Sequence, residues 1–457
     1  MTTTLFGTDG IRGTAGEGIF TPPQLMRLGH AIGRWLHEKY PTTRVLMLHD
    51  TRISASIIKS ALKIGLLESS IHILDGFVLP TPAALFIMRE LDHTDIALVI
   101  SASHNPYHDN GIKILEKTAG TISVEDELII SQYFYQTPCR ERGWGTDTPY
   151  IQSADVYLNA LLKKFPGPWM RGIRVILDNA HGATSHIAHT LFTQCGADVI
   201  SMHDQPTGYN INAQAGSTHP ELIAQLMRTA HADIGFAFDG DGDRVIAITK
   251  QGIIKNGDDI LSILSLHPRY HTTPTIVGTV MTNEGLVTHL HAHNKTLLRT
   301  PVGSRHMNAA LTEKKLLLGG EPIGHVILHD HLPLGDALLN ALTLLETVIA
   351  TNNWELESFH AYPQVLTNIP VKHRFDLAQE PFASLIHRYI TQLSTGRILV
   401  RYSGTENILR VMVEAPTQDL AQLVSTELIH ELIQLFTSHV TQIYLPRNSD
   451  QVPYHEM

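Results

Sequence analysis

Cysteine is almost missing: Cys139 and Cys195 are the only two in 457 residues. That is too few for a disulfide framework and fits a reducing compartment. Charge of one sign never accumulates either. The formal net charge of −10 is spread along the chain and no basic run occurs, which argues against nucleic-acid binding. No apolar run approaches the length of a membrane span, and the opening Met1 to Phe6 has neither the basic nor the apolar part of a leader, so a soluble cytoplasmic protein is expected. Also absent are a P-loop, a G-x-G-x-x-G after a strand, a G-x-S-x-G elbow and any short-period repeat. These absences set aside the commonest nucleotide-binding and serine-hydrolase readings.

What is present is apolar residue enough for several cores, 43% of the chain, and a length that predicts about three domains, or four small ones. Histidine is abundant at 28. His289, His291 and His293 alternate, so a strand would put them on one face, as a metal site requires. No carboxylate or cysteine joins them, and a solvated face is the better reading.

The chain is organised around residues 96–113. Residues 96–100 form a continuous apolar run, the pattern of a strand buried on both faces. It stops at Ser101-Ala102-Ser103, and Asn105-Pro106 imposes a turn. A hydroxyl is thereby set at the end of a buried strand, where α/β proteins put their chemistry; an ordinary serine-rich turn is the plain alternative. His104 follows Ser103 directly, and adjacent side chains of an extended segment point to opposite faces, so it is a poor base for that serine.

Upstream, Gly7-Thr8-Asp9-Gly10-Ile11-Arg12-Gly13 lets backbone N–H groups and a guanidinium approach an anion, or is a plain turn. Helical periodicity at 24–39, 56–67 and 82–91 alternates with strands at 44–49 and 71–74, the mark of an α/β domain with a mostly parallel sheet. Residues 143–149 read as a linker. The alternation restarts with a helix at 155–165, strands at 174–177 and 198–202, helices at 185–194 and 220–230, and a strand at 234–238.

That last strand ends in Asp239-Gly240-Asp241-Gly242-Asp243-Arg244. Three carboxylates in five residues repel one another unless a cation sits among them. The glycines between them let the backbone curl so that all three converge. Oxygen ligands alone select a hard cation, Mg2+ above all where phosphate is handled. An EF-hand is excluded, because Arg244 stands at the sixth loop position and Lys250 at the twelfth. With strands at 234–238 and 245–248 on either side, a rigid metal loop is favoured over an exposed acidic turn.

A third α/β unit has strands at 276–280, 316–318 and 326–328 and an amphipathic helix at 338–350. Between its last strands, Gly319-Gly320-Glu321-Pro322-Ile323-Gly324-His325 frames a Glu and a His that suit a polyhydroxylated ligand, or form a tight turn. A last unit has strands at 397–401 and 409–414 and a helix at 420–436. Between its strands, Ser403, Gly404 and Thr405 supply hydroxyls and backbone donors, with Arg401 and Arg410 beside them. This reads as a phosphate clamp, a simple hairpin being the alternative. Beyond Tyr444 the tail is polar and expected to fray.

Ser101-Ala102-Ser103-His104-Asn105-Pro106 together with residues 239–244 resembles the α-D-phosphohexomutase family. Residues 6–13, residues 50–54 and the Ser-Ala-Ser-His-Asn-Pro form look most like its bacterial phosphoglucosamine mutase branch. The likeness runs from Phe6 to about Phe436, with four motifs in family order. It implies four domains around a central cleft: three related α/β domains with mixed sheets, residues 1–150, 151–253 and 254–361, and a smaller C-terminal α+β domain, residues 362–457. It implies Ser103 as the phosphoserine, Asp239, Asp241 and Asp243 with Ser103 as the Mg2+ ligands, and Arg12, Lys113 and His325 at the reacting centre, the last two as acid/base candidates. Glu321 and Arg244 would bind the sugar, and Arg401, Ser403, Gly404, Thr405 and Arg410 the phosphate that is not being transferred.

The implied activity is interconversion of glucosamine 6-phosphate and glucosamine 1-phosphate through a phosphoserine enzyme and a 1,6-bisphosphate, which also serves as primer. It would feed UDP-N-acetylglucosamine synthesis, in a monomer or homodimer that binds hexosamine phosphate but neither nucleic acid nor membrane. The alternatives are a phosphoglucomutase or phosphomannomutase, or a sugar-phosphate-binding paralogue with little turnover. Three segments depart from the family pattern. Glu321-Pro322-Ile323-Gly324-His325 lacks the usual amide and serine hydroxyl. Tyr402 and Asn407 are unusual in the clamp. Thr300-Pro301-Val302-Gly303-Ser304-Arg305-His306 lacks a lysine and an aspartate. Intact transfer chemistry with an altered sugar preference is therefore expected.

Overall fold

Ile96–Ile100 is apolar at every position, and every position is buried. Such a strand sits inside a sheet covered on both faces. In the computed structural model, which describes residues 4–7, 9–40, 44–136, 143–393, 395–403 and 407–444 with side chains to residue 437, it is central to the first of four sheets. Two compact units are formed, one from Met1–Thr282 and Leu290–Phe359, the other from Asn283–His289 and His360–Met457.

The first unit holds three sheets. The largest runs Ile11–Thr14, Asp109–Glu116, Ile96–Ile100, Arg44–His49, His72–Val78, Asp147–Pro149; its first two pairings are antiparallel and the other three parallel. The second runs Ile254–Lys255, Val245–Thr249, Ile234–Phe238, Arg174–Asp178, Asp198–Met202, again antiparallel twice and then parallel. In the third, Thr296–Thr300, Thr275–Thr279 and Leu318–Gly320 are parallel and Val326–Leu328 closes antiparallel. In each, the chain leaves a parallel strand, turns, and returns antiparallel beside it. Those turns carry residues 101–108, 239–244 and 321–325. The second unit has one antiparallel sheet, Gln364–Pro370, Ile408–Glu414, Arg397–Tyr402, and the turn between its last two strands holds Ser403 and Asn407. α/β architecture with mixed sheets and a smaller C-terminal sheet-and-helix domain is what was expected.

Local differences have physical causes. Residues 143–149 are not wholly a linker: Asp147–Pro149 pairs in parallel with His72–Val78 as an edge strand, a position that tolerates proline. Lys63 Nζ holds it with bonds of 2.8 Å to both Asp147 oxygens. The helix Ala337–Thr351 is not amphipathic; eleven of its residues are buried. Its polar positions bond internally, Asn340 Nδ2 to Val326 O at 2.8 Å and the Thr343 and Thr347 hydroxyls to carbonyls four residues back. Back-bonded threonines of this kind mimic a solvated face in sequence. His289 and His291 lie on the helix Glu284–Ala292 rather than a strand, with His293 just past its end. Alternate residues of a helix are about 200° apart, so no shared face results. Among the described residues no helix is long and apolar enough to cross a membrane.

Asp336 caps that buried helix, accepting from Leu338 N and Leu339 N at 3.0 Å each. Tyr157 OH donates to its two oxygens at 2.9 and 3.0 Å. Burial pushes its carboxyl up to about 6, against the opposing pull of the Leu339 amide and Tyr157. A carboxyl raised on folding contributes stability that is full below its unfolded value and is lost as pH rises through the folded one. The advantage of wild type over Asp336→Asn in urea unfolding should therefore fall by up to about 3 kcal/mol between pH 4 and pH 7. A level difference across that range contradicts the assignment.

Candidate active site

The turn after Ile96–Ile100 is shaped by Arg52, which is buried with its side chain fully covered. Its Nε donates to Asp50 Oδ2 at 2.9 Å. Its terminal nitrogens donate to the carbonyls of Ser103 at 3.0 Å, Asn105 at 2.8 Å and Asp109 at 3.0 Å, and to that of Pro106. Asp50 Oδ2 also accepts from Ser101 Oγ at 2.6 Å, and Ser101 Oγ accepts from Ser103 N at 2.9 Å. Asn212 Nδ2 reaches the Ser103 and Asn105 carbonyls from the second sheet's side at 2.9 and 3.1 Å. So held, Ser103 adopts φ of +52°, a left-handed conformation uncommon for a residue with a side chain and frequent at functional sites.

Ser103 Oγ donates to Asp239 Oδ2 at 2.6 Å. The two loops touch because residue 240 is glycine: a Cβ there would lie 2.6 Å from Ser103 O. Asp239, Asp241 and Asp243 are buried, and one oxygen of each lies within 4.8 Å of the others. Among the described residues Asp241 Oδ1 and Asp243 Oδ1 accept no hydrogen bond. An all-oxygen donor set, buried and with unused lone pairs, fits a hard divalent cation. Thr81 Oγ1 fixes Asp241 Oδ2 at 2.6 Å. Burial and the charges of Asp243 and Asp241 push Asp239 well above the usual carboxylate range. Burial works the same way on Asp243, but the Lys113 ammonium and His325 hold it well below that range.

Lys113 lies on Asp109–Glu116, its Nζ 2.8 Å from Asp241 Oδ2 and 3.0 Å from Asp243 Oδ2. Burial opposes its charge, yet Asp241, Asp243 and Asp9 keep it protonated, so in this arrangement it donates rather than accepts. Arg12 donates to Ala102 O at 2.8 Å and to Asp9 Oδ2 at 2.5 Å. His325 Nδ1 is 3.7 Å from Asp243 Oδ1, which raises the imidazole despite its burial. Arg12, Asp9, His104, Arg244, Glu321 and His325 line one cavity of about 400 Å³.

Glu321 reaches it because Gly324, at φ +91°, packs against Val245 of the hairpin that carries Asp239, Asp241 and Asp243, whose amide donates to Gly324 O at 3.1 Å. Glu321 Oε1 accepts from Gly303 N at 3.1 Å. Arg305 forms a two-pronged ion pair with Glu127, from the first sheet's side.

His104 lies where the sequence reading did not put it. Positive φ at Ser103 breaks the extended geometry, and His104 Nδ1 comes within 3.5 Å of Ser103 Oγ. Burial, with Arg244 and Arg12 nearby, lowers it to about 4, so the imidazole is neutral at physiological pH. Ser103, Asp239, Asp241, Asp243, Lys113, Arg12, Arg244, Glu321 and His325 are thus brought together in the first unit. Residues 50–54 and 101–106 are motifs of the sequence, but the bonds that Asp50, Arg52 and Ser101 make were not foreseen from it, and Asn212 and Thr81 were missed altogether.

In the second unit Arg401 and Arg410 are direct partners across an antiparallel ladder. Like charges so opposed repel unless an anion joins them. Ser403 N donates to Ile408 O at 2.8 Å, and Arg374 Nη2 donates to Ser403 O at 3.0 Å. Tyr402 is bonded through its hydroxyl to the Phe375 backbone N and O. Gly404 and Thr405 lie outside the described residues.

Comparison with known proteins gives a consistent set of matches. Phosphoglucomutase/phosphomannomutase alpha/beta/alpha domains I, II and III match residues 3–138, 155–252 and 256–364, and the C-terminal domain matches 391–431. A phosphoglucosamine mutase of Leuconostoc citreum is 39% identical over 435 residues, covering 91% of this chain and 94% of its own. One of Acinetobacter baylyi is 37% identical over 445 residues, covering 95% and 99%. Among solved structures, a phosphoglucomutase/phosphomannomutase family protein from Burkholderia thailandensis superposes with TM-score 0.78 at 22% identity, over 94% of this chain and 96% of that one. N-acetylphosphoglucosamine mutase of Aspergillus fumigatus, with GlcNAc-6P and magnesium, gives 0.64 at 15% identity over 94% and 96%. These two share the fold.

Replacing Arg52 with Ala strands the buried Asp50 and frees the carbonyls of the Ser103 turn. The expected loss is about 3–5 kcal/mol of unfolding free energy. Arg52→Lys keeps charge but loses the planar fork, and should fall between the two. Urea unfolding of Arg52→Ala within about 1 kcal/mol of wild type would contradict this account.

Proposed function

The chain belongs to the phosphoglucomutase/phosphomannomutase family, and we propose that it interconverts glucosamine 6-phosphate and glucosamine 1-phosphate through phosphorylated Ser103 and a 1,6-bisphosphate. It is an isomerase that works by phosphoryl transfer. The observation that carries the reading is the 2.6 Å bond from Ser103 Oγ to Asp239 within the convergent Asp239, Asp241, Asp243 cluster, together with relatives of that activity matched over nine-tenths of the chain.

In this reading the bond from phosphorus to Ser103 Oγ breaks as one to O1 of glucosamine 6-phosphate forms. The bisphosphate turns round, and its 6-phosphoryl group returns to Ser103. Mg2+ held by Asp239, Asp241, Asp243 and an oxygen of phosphorylated Ser103 would supply charge neutralisation of the transferring group. Protonated Lys113 and the Arg12 guanidinium add fixed positive charge beside that group. We assign acceptance of the sugar hydroxyl proton to His104, neutral and close to Ser103 Oγ, and proton donation to His325. Glu321 accepts from two vicinal hydroxyls and Arg244 steadies the sugar. Arg401, Ser403, Gly404, Thr405 and Arg410 hold the other phosphate.

The same reading puts domain limits near residues 150, 253 and 361, a sugar 1,6-bisphosphate as primer, a role in UDP-N-acetylglucosamine synthesis, and a monomer or homodimer in the cytoplasm.

The test is turnover of glucosamine 6-phosphate against glucose 6-phosphate and mannose 6-phosphate, with Mg2+ and a bisphosphate primer. The amino sugar should be preferred, and Ser103→Ala should abolish all turnover; substantial residual activity would move the phosphoryl carrier elsewhere. Asp241→Asn should lower kcat at least about a hundredfold, and an unchanged dependence on Mg2+ would refute the ligand assignment. Preference for glucose or mannose phosphate would reassign the sugar.

A further inference from the structure

The three carboxylates of the reacting centre are not equally free at both oxygens. Asp239 Oδ1 accepts from the amides of Asp243 and Arg244 at 3.1 Å each, and Asp243 Oδ2 accepts from Lys113 Nζ at 3.0 Å. Asp241 Oδ2 accepts twice, from Thr81 Oγ1 at 2.6 Å and from Lys113 Nζ at 2.8 Å. A carboxylate oxygen carries about two lone-pair sites, so this one is filled. Its neighbour Asp241 Oδ1 is buried and accepts no hydrogen bond among the described residues. Each carboxylate thus has one oxygen taken up by backbone amides, Thr81 or Lys113 and presents the other, that of Asp239 facing Ser103.

Thr81 acts on Asp241 from another part of the fold. It is fully buried, lies 160 residues from Asp241, and stands between Pro80 and Pro82, just ahead of the helix Ala83–Glu90. Proline fixes its own φ and restricts the residue before it. The Thr81 amide donates to Asp241 O at 2.8 Å, so backbone and side chain of the aspartate are held together. Gly242 admits the approach, since a Cβ there would lie 3.0 Å from Pro80 Cβ. With Oδ2 so engaged, the Asp241 carboxylate cannot turn both oxygens to one cation. Ca2+ takes about six to eight oxygens, often from bidentate carboxylates, whereas Mg2+ is smaller and demands near-octahedral geometry. Carboxylates that offer one oxygen apiece suit the smaller ion.

We propose that Thr81 is a positioning residue that confines Asp241 to one free oxygen and so sets the preference of this centre for a small cation over Ca2+. The inference rests on the cation assignment under Proposed function and deepens it. The carboxylates bind the ion, and a hydroxyl that never touches it decides how many oxygens Asp241 offers. Without that hydroxyl one lone pair of Asp241 Oδ2 is unmet. The carboxylate then turns both oxygens inward, which suits a larger cation and disturbs the geometry that Mg2+ requires.

The experiment is calorimetric titration of Mg2+ and of Ca2+ into the full chain, comparing wild type with Thr81→Val, Thr81→Ser and Asp241→Asn. Valine replaces the hydroxyl with a methyl of like size and keeps the backbone bond to Asp241. Thr81→Val should raise the ratio of Ca2+ to Mg2+ affinity about tenfold, mainly through weaker Mg2+ binding. Thr81→Ser keeps a hydroxyl and should keep the wild-type ratio. Urea unfolding checks each variant, and Thr81→Ala makes the same comparison if the valine variant does not fold. Equal loss of both affinities in the folded variant is what a merely structural role predicts, and it overturns the inference. An unchanged ratio, with Mg2+ binding lost only in Asp241→Asn, overturns this inference and leaves the cation assignment intact. Wild-type Mg2+ binding by folded Asp241→Asn overturns the cation assignment itself, and this inference with it.

Discussion

A single buried guanidinium holds the reactive turn. Arg52 directs its nitrogens to four carbonyl oxygens between Ser103 and Asp109 and to one carboxylate, Asp50. Carbonyls of a turn lack the facing row of N–H donors that a neighbouring strand gives in a sheet, and buried they must find other donors. The planar, always charged fork of arginine meets several at once. Because that turn is pinned, Ser103 can persist in a left-handed conformation, and its hydroxyl faces Asp239 rather than solvent.

The second constraint is electrostatic. Three buried carboxylates within 4.8 Å are tolerable only with positive charge among them. Lys113 supplies part of it, and its ammonium is held charged by the groups it neutralises. Asp241 Oδ1 and Asp243 Oδ1 accept no hydrogen bond among the described residues, though His325 Nδ1 and Arg244 Nε face Asp243 Oδ1 at 3.7 and 3.6 Å. The centre thus gathers buried carboxylates whose arrangement could hold a hard cation.

The two constraints combine through a shared topology. In each of three sheets a parallel strand turns back antiparallel, and the three turns carry the serine, the carboxylates and the glutamate with its histidine. Glycine at 240 and 324 removes the Cβ that would keep neighbouring turns apart. Much of this was legible from residues alone. Strands such as Ile96–Ile100 and Ile234–Phe238 stand where apolar runs put them, because a strand buried on both faces leaves an uninterrupted apolar signature. Helix Ala337–Thr351 misled, since threonines that bond their own backbone resemble a wet face. The alternating histidines read as a solvated face, and His291 and His293 are exposed, although a helix rather than a strand carries His289 and His291.

By itself the sequence determined the fold class, the position of each turn and the residue types offered there: apolar periodicity and glycine-punctuated motifs are local, and local physics suffices to read them. Only the tertiary structure decided which of those groups meet and in what state. Arg52 and the Ser103 turn are 51 residues apart, and Lys113 and Asp241 are 128. No local pattern encodes such pairings. His104 shows the point at the smallest scale. Its distance from Ser103 Oγ follows from one backbone angle, and its neutrality from burial beside Arg244 and Arg12. Both are imposed by neighbours folded in from elsewhere in the chain.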